Sequence, residues 1–152
     1  MGLEQQIQDG IKAAMIAKDK VKLEALRAVK SEILLAKTAA GGAAKELADS
    51  DVVKLIQKLV KQHNESAELY KQNNRQDLAD NELAEAKHME GFLPKQFSAE
   101  ELEAELKKII AAVGATKISD LGKVMGTATK QLAGKAEGSA IVQAVKKLLS
   151  QL

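Results

Sequence analysis

The sequence predicts an all-α protein built from two helical units, and three observations support this prediction. Aromatic residues make up 2% of the 152 residues, and residues that lose little side-chain freedom in a helix dominate the rest. Apolar residues recur every three or four positions along most of the chain, which is the helical period. The only proline, Pro94, divides the pattern. We therefore expect an N-terminal antiparallel helical domain over residues 1–94 and a small C-terminal three-helix domain over residues 95–152.

Four helices are predicted before the proline. The apolar spacing places the first three over about 3–17, 19–38 and 50–73, and a fourth runs from about 77 to 93. The third and fourth should form a long antiparallel hairpin. The segment 38–44 lowers helix propensity with two glycines and is predicted to be a mobile loop.

The segment around Pro94 predicts a fixed joint between the two units. A proline disfavours helical geometry at the residue before it, so the fourth helix should stop there. Ser98 followed three residues later by Glu101 has the pattern of a capping box, and Phe97 and Leu102 occupy the positions of a hydrophobic staple. A fifth helix should therefore begin almost at once.

Three short helices are predicted after the joint. The fifth ends at Gly114, the sixth starts near Ser119, and the seventh runs to the end of the chain. The expected buried positions are Leu121, Met125, Ala128 and Leu132 in the sixth helix and Ile141, Val145, Leu148 and Leu152 in the seventh.

Charge and composition limit the function classes. The net charge is +2, but residues 1–93 carry −1 and residues 94–152 carry +3. From Lys117 onward there are six lysines against two acidic residues, a local field that suits a polyanion partner. The absence of cysteine excludes disulfides and thiol chemistry. With no apolar run near ~20 residues and no signal-peptide pattern, we expect a soluble cytoplasmic protein that does not interact with membranes.

The sequence predicts no catalytic residue, no metal and no cofactor. Glu85 and His88 have the spacing of a di-iron half-site, but the other histidine, His63, is preceded at that spacing by Val60, so the second copy is missing. No segment has the pattern of a glycine-rich phosphate-binding loop.

The strongest candidate site is a glycine- and lysine-rich stretch of the sixth helix. Gly122 and Gly126 are one turn apart and cost about 1 kcal/mol each relative to alanine. Two explanations remain open, close helix-to-helix packing, which the sequence alone favours, and a bare backbone face for a ligand. Lys123 and Lys130 should point away from the core. The full set of predicted nucleic-acid-binding residues is Gly122, Gly126, Gly134, Lys123, Lys130, Lys135, Lys146 and Lys147.

Several stretches of the chain resemble the YqeY family of small bacterial proteins. These stretches are 51–62 (DVVKLIQKLVKQ), 74–82 (NRQDLADNE), 93–96 (LPKQ), 121–126 (LGKVMG) and 134–138 (GKAEG). The C-terminal part is similar to the tail domain of the GatB subunit of the glutamine-dependent amidotransferase that acts on mischarged tRNA. The resemblance implies an all-helical cytoplasmic protein linked to tRNA. Glutamine hydrolysis, ATP use and amide transfer belong to other parts of that enzyme.

Two functional hypotheses follow. In the first, the protein is a tRNA-binding adaptor associated with an amidotransferase or an aminoacyl-tRNA synthetase. A carbon–nitrogen ligase activity with glutamine as amido donor would then be a property of the larger enzyme and not of this chain. In the second, the protein is an interaction module that docks an enzyme partner through the hairpin and through Pro94, Lys95 and Gln96, and it makes no RNA contact.

Overall fold

The computed structural model describes residues 2–39 and 46–152, and over these ranges the regular structure is entirely helical. The all-α prediction is therefore confirmed. Most of the loop predicted over 38–44 lies outside the described residues. The chain divides into two compact units, Met1–Leu93 and Pro94–Leu152.

The first unit contains α1 (Leu3–Ala17), α2 (Lys20–Thr38), α3 (Asp49–Gln72) and α4 (Gln76–Glu90). Helix α2 packs against the other three, and α3 and α4 form a hairpin across a three-residue connection. Apolar residues from all four helices build the core, namely Ile7, Ala25, Leu26, Val29, Ile33, Val52, Ile56, Leu59, Val60, Ala86 and Met89.

Aspartates satisfy the free N–H groups where the helices of the first unit begin. The Leu3 N–H donates to Oδ1 of Asp49, 3.1 Å away, so α3 supplies an acceptor for the start of α1. The Lys22 N–H donates to Oδ1 of Asp19, which is the N-cap of α2. These bonds fix helix starts within about one residue of those predicted.

One helix ends before Pro94 and the next begins shortly after it, as predicted. Helix α4 ends at Glu90, three residues earlier than predicted, because the N–H groups of Phe92 and Leu93 form turn bonds to the carbonyls of residues 89 and 90. Helix α5 follows as Ala99–Val113, and the Ser98 hydroxyl accepts from the Glu101 N–H at 3.1 Å. The N-cap prediction is confirmed.

The second unit contains α5 (Ala99–Val113), a 3₁₀ turn (Ile118–Asp120), α6 (Leu121–Gln131) and α7 (Gly138–Ser150). Each of the three α-helices packs against the other two. The core residues are Leu102, Leu106, Ile109, Ile110, Ala115, Val124, Ala128, Leu132, Ile141, Val145, Leu148 and Leu149.

Two of the predicted buried stripes need correction. Val124 is fully buried, whereas Leu121 and Met125 are only partly buried at the edge of the core. Leu152 is 69% exposed because α7 ends at Ser150, and Leu149 is buried in its stead. None of the helices described is long and apolar enough to span a bilayer.

Candidate functional site

The exposed side of α6 forms a shallow, open groove within the second unit. It contains two of the predicted lysines and both glycines of the Gly-x-x-x-Gly pattern. The residues that line it are Gly122, Lys123, Gly126, Thr127, Lys130 and Gln131.

The helical period explains why these residues share a face. Lys123 and Lys130 are seven residues apart, so they project from nearly the same side of the helix. Val124 and Ala128, both fully buried, project from the opposite side. The same residues that anchor α6 in the core therefore direct the two lysines outward.

The two glycines of α6 do not mediate helix packing. Among residues 2–39 and 46–152, a Cβ placed on Gly122 or on Gly126 would meet no atom within 4 Å beyond the adjoining backbone of its own helix. The explanation by close helix approach, which the sequence favoured, is therefore wrong. Gly126 lies in the middle of α6, and no packing contact with the described residues offsets its helix-propensity cost of about 1 kcal/mol. What the glycines produce is a strip of bare helix backbone beside the lysines.

The two lysines of the groove differ in whether an acidic residue lies near them. Asp120 precedes α6 and accepts from the N–H groups of Thr116, at 2.9 Å, and of Lys117, at 3.3 Å. These bonds, helped by the charges of Lys117 and Lys123, hold the pKa of Asp120 below its ordinary value. Lys123 thus has an acidic neighbour. The ammonium of Lys130 has no ion-pair or hydrogen-bond partner among the described residues.

Lys135 lies in the loop after α6 and outside the groove. Gly134 before it has a φ of +77°, which a glycine adopts without strain. The Lys135 N–H donates to the Leu132 carbonyl at 3.0 Å, and its carbonyl accepts from the Phe97 N–H at 2.9 Å. Its ammonium lies 6.0 Å from the centre of the Phe97 ring, at the limit of a cation–π contact.

The remaining predicted lysines lie on α7. Lys146 and Lys147 are both exposed. Successive residues of a helix project about 100° apart, so these two side chains point in different directions. Neither lines the groove on α6. Of the eight predicted residues, the structure brings four together in one groove, Gly122, Lys123, Gly126 and Lys130.

Thr127 and Gln131 belong to the groove but were not predicted from the sequence. Each is four residues after another groove residue, Lys123 and Thr127 respectively, so the helical period was the available signal. Both have neutral hydrogen-bonding side chains.

The residues predicted to dock a partner lie at the start of the second unit. Pro94, Lys95 and Gln96 are exposed. The Gln96 side chain donates to the carbonyls of Pro94, at 2.8 Å, and of Gly134, at 2.6 Å. Gln96 therefore joins the start of this unit to the loop between α6 and α7.

The molecule is thus an all-helical protein of two units with a basic, glycine-lined helix face in the second. The chain belongs to the family of Yqey-like proteins, which matches residues 4–149 and so includes both units. It is also similar to altered inheritance of mitochondria protein 41, mitochondrial, from Pyrenophora tritici-repentis (strain Pt-1C-BFP). That similarity is 29% identity over 139 residues, which cover 90% of this chain and 75% of the fungal protein.

Proposed function

We propose that this protein is a tRNA-binding accessory protein and that the exposed face of α6 contacts the phosphate backbone of the RNA. The groove residues carry this contact, and Lys135, Lys146 and Lys147 add to the positive field around it. The chain itself has no catalytic role in the proposal. The single observation that supports it most strongly is the open space around Gly122 and Gly126.

The open glycine positions favour a ligand because they serve no packing function. A side chain longer than hydrogen would hold a sugar–phosphate chain away from the helix, whereas glycine lets it approach the backbone. Lys123 and Lys130 project from the same face about 10 Å apart along the axis, so both ammonium groups can meet phosphates on one strand.

The charge of the face favours RNA phosphates over RNA bases. Lysine meets phosphate as a point charge, and no acidic group in the described part of the chain pairs with the ammonium of Lys130. No aromatic residue lines the groove, so stacking on unpaired bases cannot supply the affinity. A face of this kind reads the shape and the backbone of a folded RNA.

The choice of tRNA rests on the family. The C-terminal part of the chain resembles the tail of the GatB subunit, which contacts tRNA in the amidotransferase of mischarged tRNA. By this analogy the protein assists an amidotransferase or an aminoacyl-tRNA synthetase in the cytoplasm. The carbon–nitrogen ligase chemistry, with glutamine as donor, then belongs to that partner enzyme.

The test is the affinity for tRNA at several salt concentrations. Changing Lys123, Lys130 and Lys135 together to alanine should remove most of the binding. It should also reduce the slope of log affinity against log salt by about two to three, because each lost phosphate contact contributes ~0.7 to 0.9.

A second triple variant is the matched control. Lys54, Lys58 and Lys71 are exposed on α3, so their change to alanine removes the same charge from the first unit. The control should bind tRNA almost as the unchanged protein does. Equal losses of tRNA affinity in the two triple variants would show that only the net charge matters. That result would contradict the proposal. Normal tRNA binding by the α6 variant would favour the interaction module that docks through the hairpin and Lys95.

A further inference from the structure

A second cluster of polar side chains lies inside the helical hairpin of the first unit. His63 on α3 faces Glu82 and Glu85 on α4. Nδ1 of His63 is 2.5 Å from Oε2 of Glu82 and 3.6 Å from Oε2 of Glu85. The three side chains retain only 16%, 23% and 13% of their exposure, so the cluster is largely shielded from water.

The hairpin brings these residues together in a way that one helix cannot. Glu82 and Glu85 are three residues apart and so share a face of α4. The chain turns at Asn73 and Asn74, so α3 packs against that face of α4 and His63 lies beside both carboxylates. The spacing in the sequence relates Glu85 to His88 instead, as a half-site without its second copy, because those two residues lie within a single helix.

The cluster has more negative charge than its histidine can balance. Two carboxylates and one imidazolium leave a net charge of −1, and a deprotonated imidazole leaves −2. A divalent cation bound with the deprotonated imidazole would make these three groups neutral.

The ligand atoms are spaced for one small ion. One nitrogen and two oxygens, one from each side chain, all lie within 4.8 Å of one another. Zinc–nitrogen and zinc–oxygen bonds of about 2.0–2.2 Å place tetrahedral ligands about 3.4 Å apart. The two distances to Nδ1 of His63, 2.5 and 3.6 Å, lie within about 1 Å of that spacing. Both carboxylates face the same ring nitrogen of His63.

We propose that His63, Glu82 and Glu85 bind one Zn²⁺ or a divalent ion of similar chemistry, which closes the α3–α4 hairpin. One imidazole and two carboxylates suit zinc and cobalt, and the fourth position is left for water. The ion ties the two helices together at mid-length. This proposal does not depend on RNA binding by the second unit.

The chain makes this proposal easy to test. It has no cysteine and two histidines, His63 and His88, so few other strong ligands compete for zinc. The untagged, chelator-treated full chain should be titrated with Zn²⁺ by calorimetry and with Co²⁺ by visible absorption. We expect one ion per chain and a rise in melting temperature, because an ion that binds the folded state alone stabilises it.

Substitutions identify the ligands. His63→Gln and Glu82→Gln should each weaken Zn²⁺ binding at least tenfold, whereas His88→Gln should leave it unchanged. In the unsubstituted protein, Zn²⁺ should shift the imidazole NMR signals of His63 and not those of His88, a result that does not depend on how well a variant folds. The proposal is overturned if neither ion binds below about 1 mM. It is equally overturned if His63→Gln binds normally or if the shifted signals belong to His88.

Discussion

Glycines within helices have opposite surroundings in the two units. In α1, a Cβ on Gly10 would come within 2.8 Å of Cδ1 of Leu26 and 3.4 Å of the Phe92 ring. In α6, a Cβ on Gly122 or Gly126 would meet nothing within 4 Å in the described part of the chain, apart from the adjoining helix backbone. Gly10 is therefore needed for the close packing of α1 on α2, and the α6 glycines are not needed for packing at all. The same residue type serves the core in one unit and leaves a surface bare in the other.

This difference shows what a glycine pattern can and cannot indicate. The Gly-x-x-x-Gly spacing suggested close packing where none exists, whereas the single Gly10 belongs to no pattern. The neighbour that requires Gly10 is Leu26, which is fully buried on the next helix. Only the crossing of the two helices reveals that contact.

The largest expected effect comes from placing valine at each kind of position. Gly10→Val should destabilise the protein by about 2–3 kcal/mol, because the new side chain overlaps the packed Leu26 side chain. Gly126→Val, the matched change on the open face, should alter stability by less than about 0.5 kcal/mol, since valine and glycine differ little in helix propensity. Urea unfolding of both variants measures this. Equal destabilisation by the two valine substitutions would contradict the conclusion that Gly10 is packed and Gly126 is not.

A smaller effect of opposite sign is expected for alanine on the open face. Gly126→Ala should stabilise the protein by up to about 1 kcal/mol, because alanine raises helix propensity in the middle of α6 and meets no neighbour. Thermal unfolding should show a higher melting temperature. A decrease would mean that the backbone at Gly126 is packed after all.

The smallest effect is expected at Asp120, just before α6, where a substitution should change how the free energy of unfolding depends on pH. The pKa of Asp120 is lower in the folded protein than the ordinary value of about 3.9, so its carboxylate favours folding above that pH. That contribution disappears as the pH falls through the lower folded pKa. Asp120→Asn should therefore lose less stability between pH 5 and pH 2.5 than the unchanged protein does. Urea unfolding at the two pH values gives the comparison, and equal losses would contradict it.

Local features were predictable from the sequence and contacts between helices were not. The helical period and the Ser98 cap placed most helix starts and ends within a few residues, because both act over one or two turns. Burial was predicted for Leu121 and Met125 where Val124 is buried, and for Leu152 where Leu149 is buried. These errors arose because the rotation of a helix about its axis and the residue at which it ends decide which side chains face the core. The contact between His63 and Glu82 could not be predicted, because it depends on the register of α3 against α4.

The proposed tRNA binding rests on the claim that an RNA backbone can approach the bare face of α6. The most direct test is the tRNA affinity of the double variant Gly122→Leu/Gly126→Leu, with Gly122→Ala/Gly126→Ala as the control. Leucine should weaken tRNA binding at least tenfold and leave the melting temperature at or above that of the unchanged protein, because its side chains fill open space and block the approach. Normal tRNA binding by the leucine variant, or unfolding of its second unit, would contradict the claim.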